Sequence, residues 1–591
     1  MEETRGYQMN NHGDFQEQAP VVQTPFDSAE KYDVAILGGG MAGLTLALQL
    51  KKMRPSVRIV VIEKQKHPVP EATHKVGEST VEILAHYLRD VLELGEHLQK
   101  QQLNKFGLRM FFSNNGNQDI TQRVELGHAV LPPHGVGTYQ LDRGRLENAL
   151  GSELPKQEIR FLDGCKVQQV DLRPQDSSHR LRVLRDGEWE IQARWVVDAS
   201  GRSSFLKRQL GLEKKGNHHA NAVWFRINYP IDINTWSTDP DWQARICEGE
   251  RALSTNHLMG PGYWVWLIRL ASGSISIGIV TDANMHSFEE MNRFERALNW
   301  LRTREPQCAQ VIEAHQSEVQ DFRVMKDYSY GCEQVYSSER WCLTGEASVA
   351  LDPLYSSGGD LIAISNGLVC DLITHDLEGE DVEERAAIHN RIFLILADSW
   401  IGIYAQQYSL MGNAQIMTAK VIWDTAVYWA VPGLLYFHDV FHRLASSPEV
   451  VINLARFSVL SDHVQAFFRD WLAIASPEAT PTFIRYYDYD FMVRLQTGML
   501  AGLPDSEMET QFARNVCFLE QLAGQLVSTV IETFADCNED ETVQHQLQLW
   551  GADEFLADLM TLYQQVDAEP PINGGWITLG HQKLVQQEVA G

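Results

Sequence analysis

The 591-residue chain has no CxxC pair among its eight cysteines, which excludes the usual zinc ribbon or disulfide framework. They read as reduced thiols in a reducing, cytoplasmic compartment. Basic residues are in deficit: 50 Lys+Arg stand against 78 Asp+Glu, a formal net charge of −28. A field of that sign repels polyanions, which argues against nucleic acid or an anionic membrane surface as partner. No apolar run spans a bilayer: VIWDTAVYWAVPGLLYF is broken by Asp424 and Pro432 and reads as buried core helix. The N-terminus has no basic segment followed by an apolar one, so no signal peptide is expected. What is present is ordinary for a globular chain, 44% hydrophobic and 22% charged residues, with length for about three or four structural units.

Residues 1–30 are polar and aperiodic and read as a flexible arm. From Tyr32, YDVAILGGG runs a strand into glycines, MAGLTLALQLKKM has helical periodicity and VRIVVIEK is a second strand, together a βαβ unit. Residues 80–104 read as helix, GLRMFF as strand and YQLDRGRLENALGSEL as helix. Strand-like runs from about 158 to 330 suit an antiparallel sheet. The expected fold is α/β: a Rossmann-type domain with an antiparallel-sheet wall over residues 31–380, then a helical C-terminal region over 381–591.

Gly38, Gly40 and Gly43 form GxGxxG directly after a strand and at the start of a helix, the context in which the motif binds a dinucleotide. They permit the tight turn, the approach of a pyrophosphate and close helix–strand packing, while the helix N-terminus offers free N–H groups. Glu63 lies twenty residues beyond Gly43, where a carboxylate accepts hydrogen bonds from ribose hydroxyls. NAD and FAD share this motif. No second strand-fed GxGxxG follows, so no integral NADPH domain is expected.

KVGEST (Lys75 to Thr80), YQLDRGRLE, VVDASGRSS and WCLTGEASVALDPLYSSGGD occur in the chain order of flavin monooxygenases and favour FAD. With WVWLIR, they make residues 30–380 resemble the flavin-dependent halogenases. The family's WxWxIP is matched by Trp264, Trp266 and Ile268, but Arg269 replaces the proline. The resemblance implies Lys105 as the catalytic lysine between flavin and substrate, with Arg109 a neighbour or surface residue. It implies halide ligation by amides near Ser357 and Gly358, and FAD contacts from Gly77, Glu78, Ser79, Arg143, Gly345, Glu346 and Gly359. Asp352 and Pro353 would shape the turn beside the ring. Glu346 would bond ribityl or ribose hydroxyls. Glu78 would touch the flavin or bond loop amides. Tyr355 stands where tryptophan-specific members carry a glutamate, which favours a phenol, pyrrole or other electron-rich ring.

The implied activity uses FADH2 made by a separate flavin reductase, oxygen, and chloride or bromide. Hypohalous acid would pass to Lys105 and on to an aromatic substrate, free or on a carrier protein. The alternatives are an FAD-dependent aromatic hydroxylase, a prenyl-chain reductase and a non-catalytic flavin-binding partner protein.

Overall fold

The computed structural model describes residues 30–72, 75–129, 137–185, 187–246, 251–476, 479–535, 540–565 and 577. The expected arm lies outside the described residues except for Glu30, which opens the first strand, Glu30–Leu37.

The first sheet runs 336–337, 341–343, 187–198, 30–37, 59–63, 160–163, and is parallel from 341–343 onward. Val34 to Leu37 and Ile59 to Glu63 are buried throughout, as expected of parallel strands covered on both faces. The helix Met41–Met53 leaves the first strand through the glycines and packs against helix Gly358–Leu377.

The second sheet has the order 319–325, 220–227, 275–282, 263–269, 255–260, 108–112, 125–127, 483–485. Its first five strands are antiparallel neighbours. Residues 160–198, expected in this wall, pair on the first sheet instead, because strand Gly187–Asp198 continues the parallel ladder beside Glu30–Leu37. GLRMFF does form a strand here, pairing parallel with 255–260. The strand Tyr263–Arg269 is buried on both faces: Trp264, Trp266 and Ile268 join the main core, and Tyr263, Val265 and Leu267 a second core. That second core is completed by helices Phe294–Arg304 and Pro306–Ala314.

Residues 80–104 are not one helix. Glu82–His86 runs into a π-turn at Tyr87–Val91, Glu93 adopts φ +59°, and a new helix covers Gly95–Gln101. A left-handed residue ends a helix, so Glu93 explains the break. The short strand Leu103–Lys105 then pairs with Thr138–Gln140.

Beyond residue 357 the described residues are mostly helical. VIWDTAVYWAVPGLLYF is buried helix as expected: Ala414–Tyr428 continues through a π-turn at Trp429–Gly433 into Leu434–Phe437. The wider turn accommodates Pro432, which lacks an N–H. Among the described residues no helix is long and apolar enough to cross a membrane, and no cluster suits a metal. Cys308, Cys332, Cys342, Cys370 and Cys517 are free thiols.

Candidate functional site

At the end of the first strand, Gly38 takes φ +118°, and a Cβ there would lie 2.3 Å from the Ala199 carbonyl oxygen. One at Gly43 would lie 2.1 Å from the Gly38 carbonyl, so strand and helix meet backbone to backbone. Gly40 is different: a Cβ would meet only the flexible ends of Lys75 (3.1 Å) and Glu147 (3.9 Å). Glu63 accepts from Gly39 N and Gln65 N, each at 2.7 Å, one bond per oxygen, leaving lone pairs for a ribose hydroxyl. Buried Glu147 accepts from Met41 N at the helix start and pairs with Lys75 and Arg143. These residues fit a dinucleotide: close-packed glycines, an open face at Gly40, two cations and an acid at the strand end.

Around this cradle the other expected contacts are spread over three segments. Arg143 spans from Glu147 to the Val76 carbonyl, beneath Gly77. Gly345 brings its turn against Ala42 of the first helix, and the half-exposed Glu346 lies 4.0 Å from Arg202. Glu78 also makes a contact that neither expectation named. A buried carboxylate needs a counter-ion, and Arg226 of the second sheet donates to Oε1 from Nε (3.0 Å) and Nη2 (2.8 Å). Burial raises the Glu78 carboxyl above its ordinary range while Arg226 pulls against it.

Lys105 ends the strand Leu103–Lys105 and is buried, 4% exposed. Its Nζ donates to Ser79 Oγ (2.8 Å) and to the Thr80 carbonyl (2.7 Å), and Ser79 Oγ is 2.9 Å from Thr255 Oγ1. Burial lowers its pKa to about 7, with the charges of Glu82 and Asp360 opposing. Lys105 lines a cleft shared with Tyr355, Ser357, Tyr404, Asp424 and Tyr428. Arg109 is no surface residue: it is fully buried in an ion pair with Glu125, because its strand lies inside the second sheet.

Ser357 precedes the helix Gly358–Leu377, its Oγ 3.3 Å from Tyr404 Oη. Nothing lies within 4 Å of a Cβ built on Gly358, whereas one on Gly359 would strike Leu84 Cδ2 at 2.3 Å. The turn before the helix is closed by Ser356 N to the Pro353 carbonyl, 3.0 Å. Buried Asp352 accepts from Leu354 N and from His218, Tyr328 and Tyr408. Burial raises its carboxyl, but these donors outweigh burial and leave it below the ordinary range.

Of the motif tryptophans, Trp264 braces this turn, while Trp266 Nε1 donates to Ser276 Oγ in the next strand. Trp264 Nε1 donates to Tyr408 Oη at 2.9 Å, and Tyr408 in turn donates to Asp352. Arg269 ends its strand opposite Ile275, at the edge of the ladder. Tyr355 Oη donates to Asp424 Oδ2 at 2.9 Å, so a carboxylate does reach the turn, from a helix seventy residues on. The sequence reading missed Glu82, Asp360, Asp424, Tyr404 and Tyr428. Glu82 follows the KVGEST segment by two residues and Asp360 ends the LDPLYSSGGD segment, but no local pattern marks either.

Strand, glycine turn and helix of this kind, joined to a second sheet, define an FAD-binding protein of the flavin monooxygenase-like fold. Residues 31–268 match the family described as FAD binding domain. The chain is 26% identical over 429 residues to the flavin-dependent halogenase chlA of Dictyostelium discoideum, covering 68% of this chain and 70% of that protein. It is 28% identical over 380 residues to the 1H-pyrrole-2-carbonyl-(peptidyl-carrier protein) chlorinase of Pseudomonas fluorescens, covering 61% and 80%. The crystal structure of halogenase PltM in complex with phloroglucinol and FAD shares the fold, with TM-score 0.60 and 17% identity over 83% of this chain and 96% of that one. The chain is an FAD-dependent oxidoreductase related to the flavin-dependent halogenases.

Proposed function

We propose that the protein halogenates an electron-rich aromatic ring, using reduced FAD, dioxygen and chloride or bromide. The observation that carries this is the shared cleft: a buried, near-neutral lysine and the Ser357 turn line one aromatic cavity. FAD bound in reduced form supplies the electrons with which dioxygen oxidises the halide to hypohalous acid, water being the other product. The glycine cradle, Glu63, Lys75 and Arg143 would hold the dinucleotide. Amides at Ser357 and Gly358 would hold the halide, since successive amides in a turn make an anion nest and the Gly358 face is open.

Two of the Lys105 nitrogen's directions are taken by Ser79 and Thr80. A neutral amine so held keeps its lone pair, which can receive hypohalous acid by hydrogen bond or as a haloamine. Transfer then replaces N–X and ring C–H by N–H and ring C–X. The aromatic lining keeps water from the electrophile.

The cleft's charges narrow the substrate. Among the described residues no arginine lines it, His128 is kept neutral by burial, which lowers its pKa to about 3, Glu82 stands on the wall, and Asp424 is already paired with Lys420 at 2.9 Å. A neutral ring bearing an O–H or N–H donor fits, and an anion does not. The relative named for carrier-bound pyrrole supports a ring presented on a carrier protein. A separate flavin reductase would supply the reduced cofactor.

The test is incubation with a flavin reductase, NADH, FAD, bromide and a panel of phenols, pyrroles and indoles, read by mass spectrometry. Brominated product that requires bromide is expected. Hydroxylated product without a halide requirement would make the protein an aromatic hydroxylase instead.

A further inference from the structure

The lysine clasp and the expected halide turn come from segments some 280 residues apart, yet they are joined through one buried side chain. Asp360 lies in the first turn of helix Gly358–Leu377 and is fully buried. Its Oδ1 accepts from Leu84 N and its Oδ2 lies against Tyr428 Oη, each at 2.9 Å. The same Tyr428 hydroxyl accepts from Ile83 N at 3.0 Å. Ile83 and Leu84 open the helix Glu82–His86, whose first N–H groups have no partner within the helix. Just upstream of that helix sit Ser79 and Thr80, the acceptors of the Lys105 amine. Gly359 closes the same junction, its α-carbon packed where any side chain would strike Leu84.

From this geometry we propose that Asp360, with Tyr428, is a positioning residue that fixes the Ser357 turn relative to the Lys105 clasp, so that the electrophilic halogen reaches the lysine rather than solvent. The proposal rests on the halogenase reading above. Tyr428 lines the cleft on one side and grips Asp360 on the other, so the bridge forms part of the cavity wall. Burial pushes the Asp360 pKa up to about 8, so near neutrality it is largely the neutral carboxyl, which an asparagine imitates in shape and polarity. A bridge that works by shape rather than charge should therefore survive Asp360→Asn and fail in Asp360→Ala.

The experiment compares wild type with Asp360→Ala, Asp360→Asn and Tyr428→Phe. Three quantities are read: FAD affinity by fluorescence titration, brominated product per reduced FAD oxidised, and free hypobromous acid trapped by an added scavenger. In Asp360→Ala, FAD affinity should hold within about twofold while product per flavin falls about tenfold or more, the scale of loss from a small misplacement of reacting groups. Trapped hypobromous acid should rise to match. Asp360→Asn should keep most of the coupling, and Tyr428→Phe should lie between. Unchanged coupling in both Asp360→Ala and Tyr428→Phe overturns the proposal, as does a loss of product that merely follows a loss of FAD binding. If Asp360→Ala does not fold, Tyr428→Phe alone decides by the same readouts. A wild type with no bromide-dependent product overturns the halogenase reading instead, which the controls without variants reveal first.

Discussion

Replacing Lys105 by methionine separates chemistry from folding. Methionine has similar length and no amine, so two hydrogen bonds disappear, those to Ser79 Oγ and the Thr80 carbonyl. Ser79 keeps Thr255 as partner, and at most one buried carbonyl is stranded, a cost of about 1–3 kcal/mol. Against that stands the cost of keeping an amine buried. Burial lowers the Lys105 pKa from 10.5 to about 7, so the unfolded chain binds more protons than the folded one between those values. Wild-type stability therefore rises with pH across that window, and below it the full penalty applies. Lys105→Met should abolish this rise and unfold within a few degrees of wild type at pH 7, followed by circular dichroism across the pH range. FAD affinity should persist. Halogenated product should fall by at least about a hundredfold, the lower end of what one positioned reacting group contributes. The oxidising equivalents should then appear as hydrogen peroxide or free hypohalous acid, since halide oxidation precedes the lysine. Normal product formation by Lys105→Met would show that its burial serves the fold alone.

Activity should rise with pH as the Lys105 amine loses its proton, half-maximal near its pKa of about 7, and a product rate flat across that value would remove the neutral amine from the mechanism. Gly40→Val should fold yet lose bound FAD, because its side chain would meet only flexible ends while filling the open face of the cradle, whereas Gly43→Val should not fold, a Cβ there meeting backbone at 2.1 Å; equilibrium dialysis and thermal melts distinguish the two. Gly358→Val should raise the bromide concentration for half-maximal rate about tenfold, an affinity loss of about 1.4 kcal/mol, and an unchanged halide dependence would place the halide elsewhere. Trp264→Phe removes the donor to Tyr408 and should cost about 1 kcal/mol of stability with FAD affinity retained, as urea denaturation would report.

The dinucleotide cradle was legible in the sequence because its physics is local: strand, turn glycines and helix start lie within fourteen residues, and the acid follows at the end of the next strand. The burial of Lys105 was expected only through the family resemblance, since nothing in NKFGLRMFF distinguishes a buried amine from a solvated one. Its burial arises from a strand pairing with Thr138–Gln140 and from the clasp at Ser79 and Thr80. The break at Glu93 was hidden for a related reason. A non-glycine residue in the left-handed region leaves no mark in hydrophobic periodicity, so 80–104 looked like one helix.

The C-terminal helices show the limit of motif reading most sharply. They carry no recognisable site pattern, yet Tyr404, Tyr408, Asp424 and Tyr428 supply the hydroxyls and the carboxylate that meet Ser357, Asp352, Tyr355 and Asp360. Asp424 and Tyr428 lie one helical turn apart in Ala414–Tyr428, Tyr404 follows the helix Glu383–Gly402 and Tyr408 opens a short turn, and buried polar residues of this kind also occur in ordinary satisfied cores. What separates the two cases is the partner, and every partner here lies within nine residues of the turn at 352–360. A helical region that looked like packing therefore builds one wall of the cleft and fixes the turn on which the proposed halide chemistry depends.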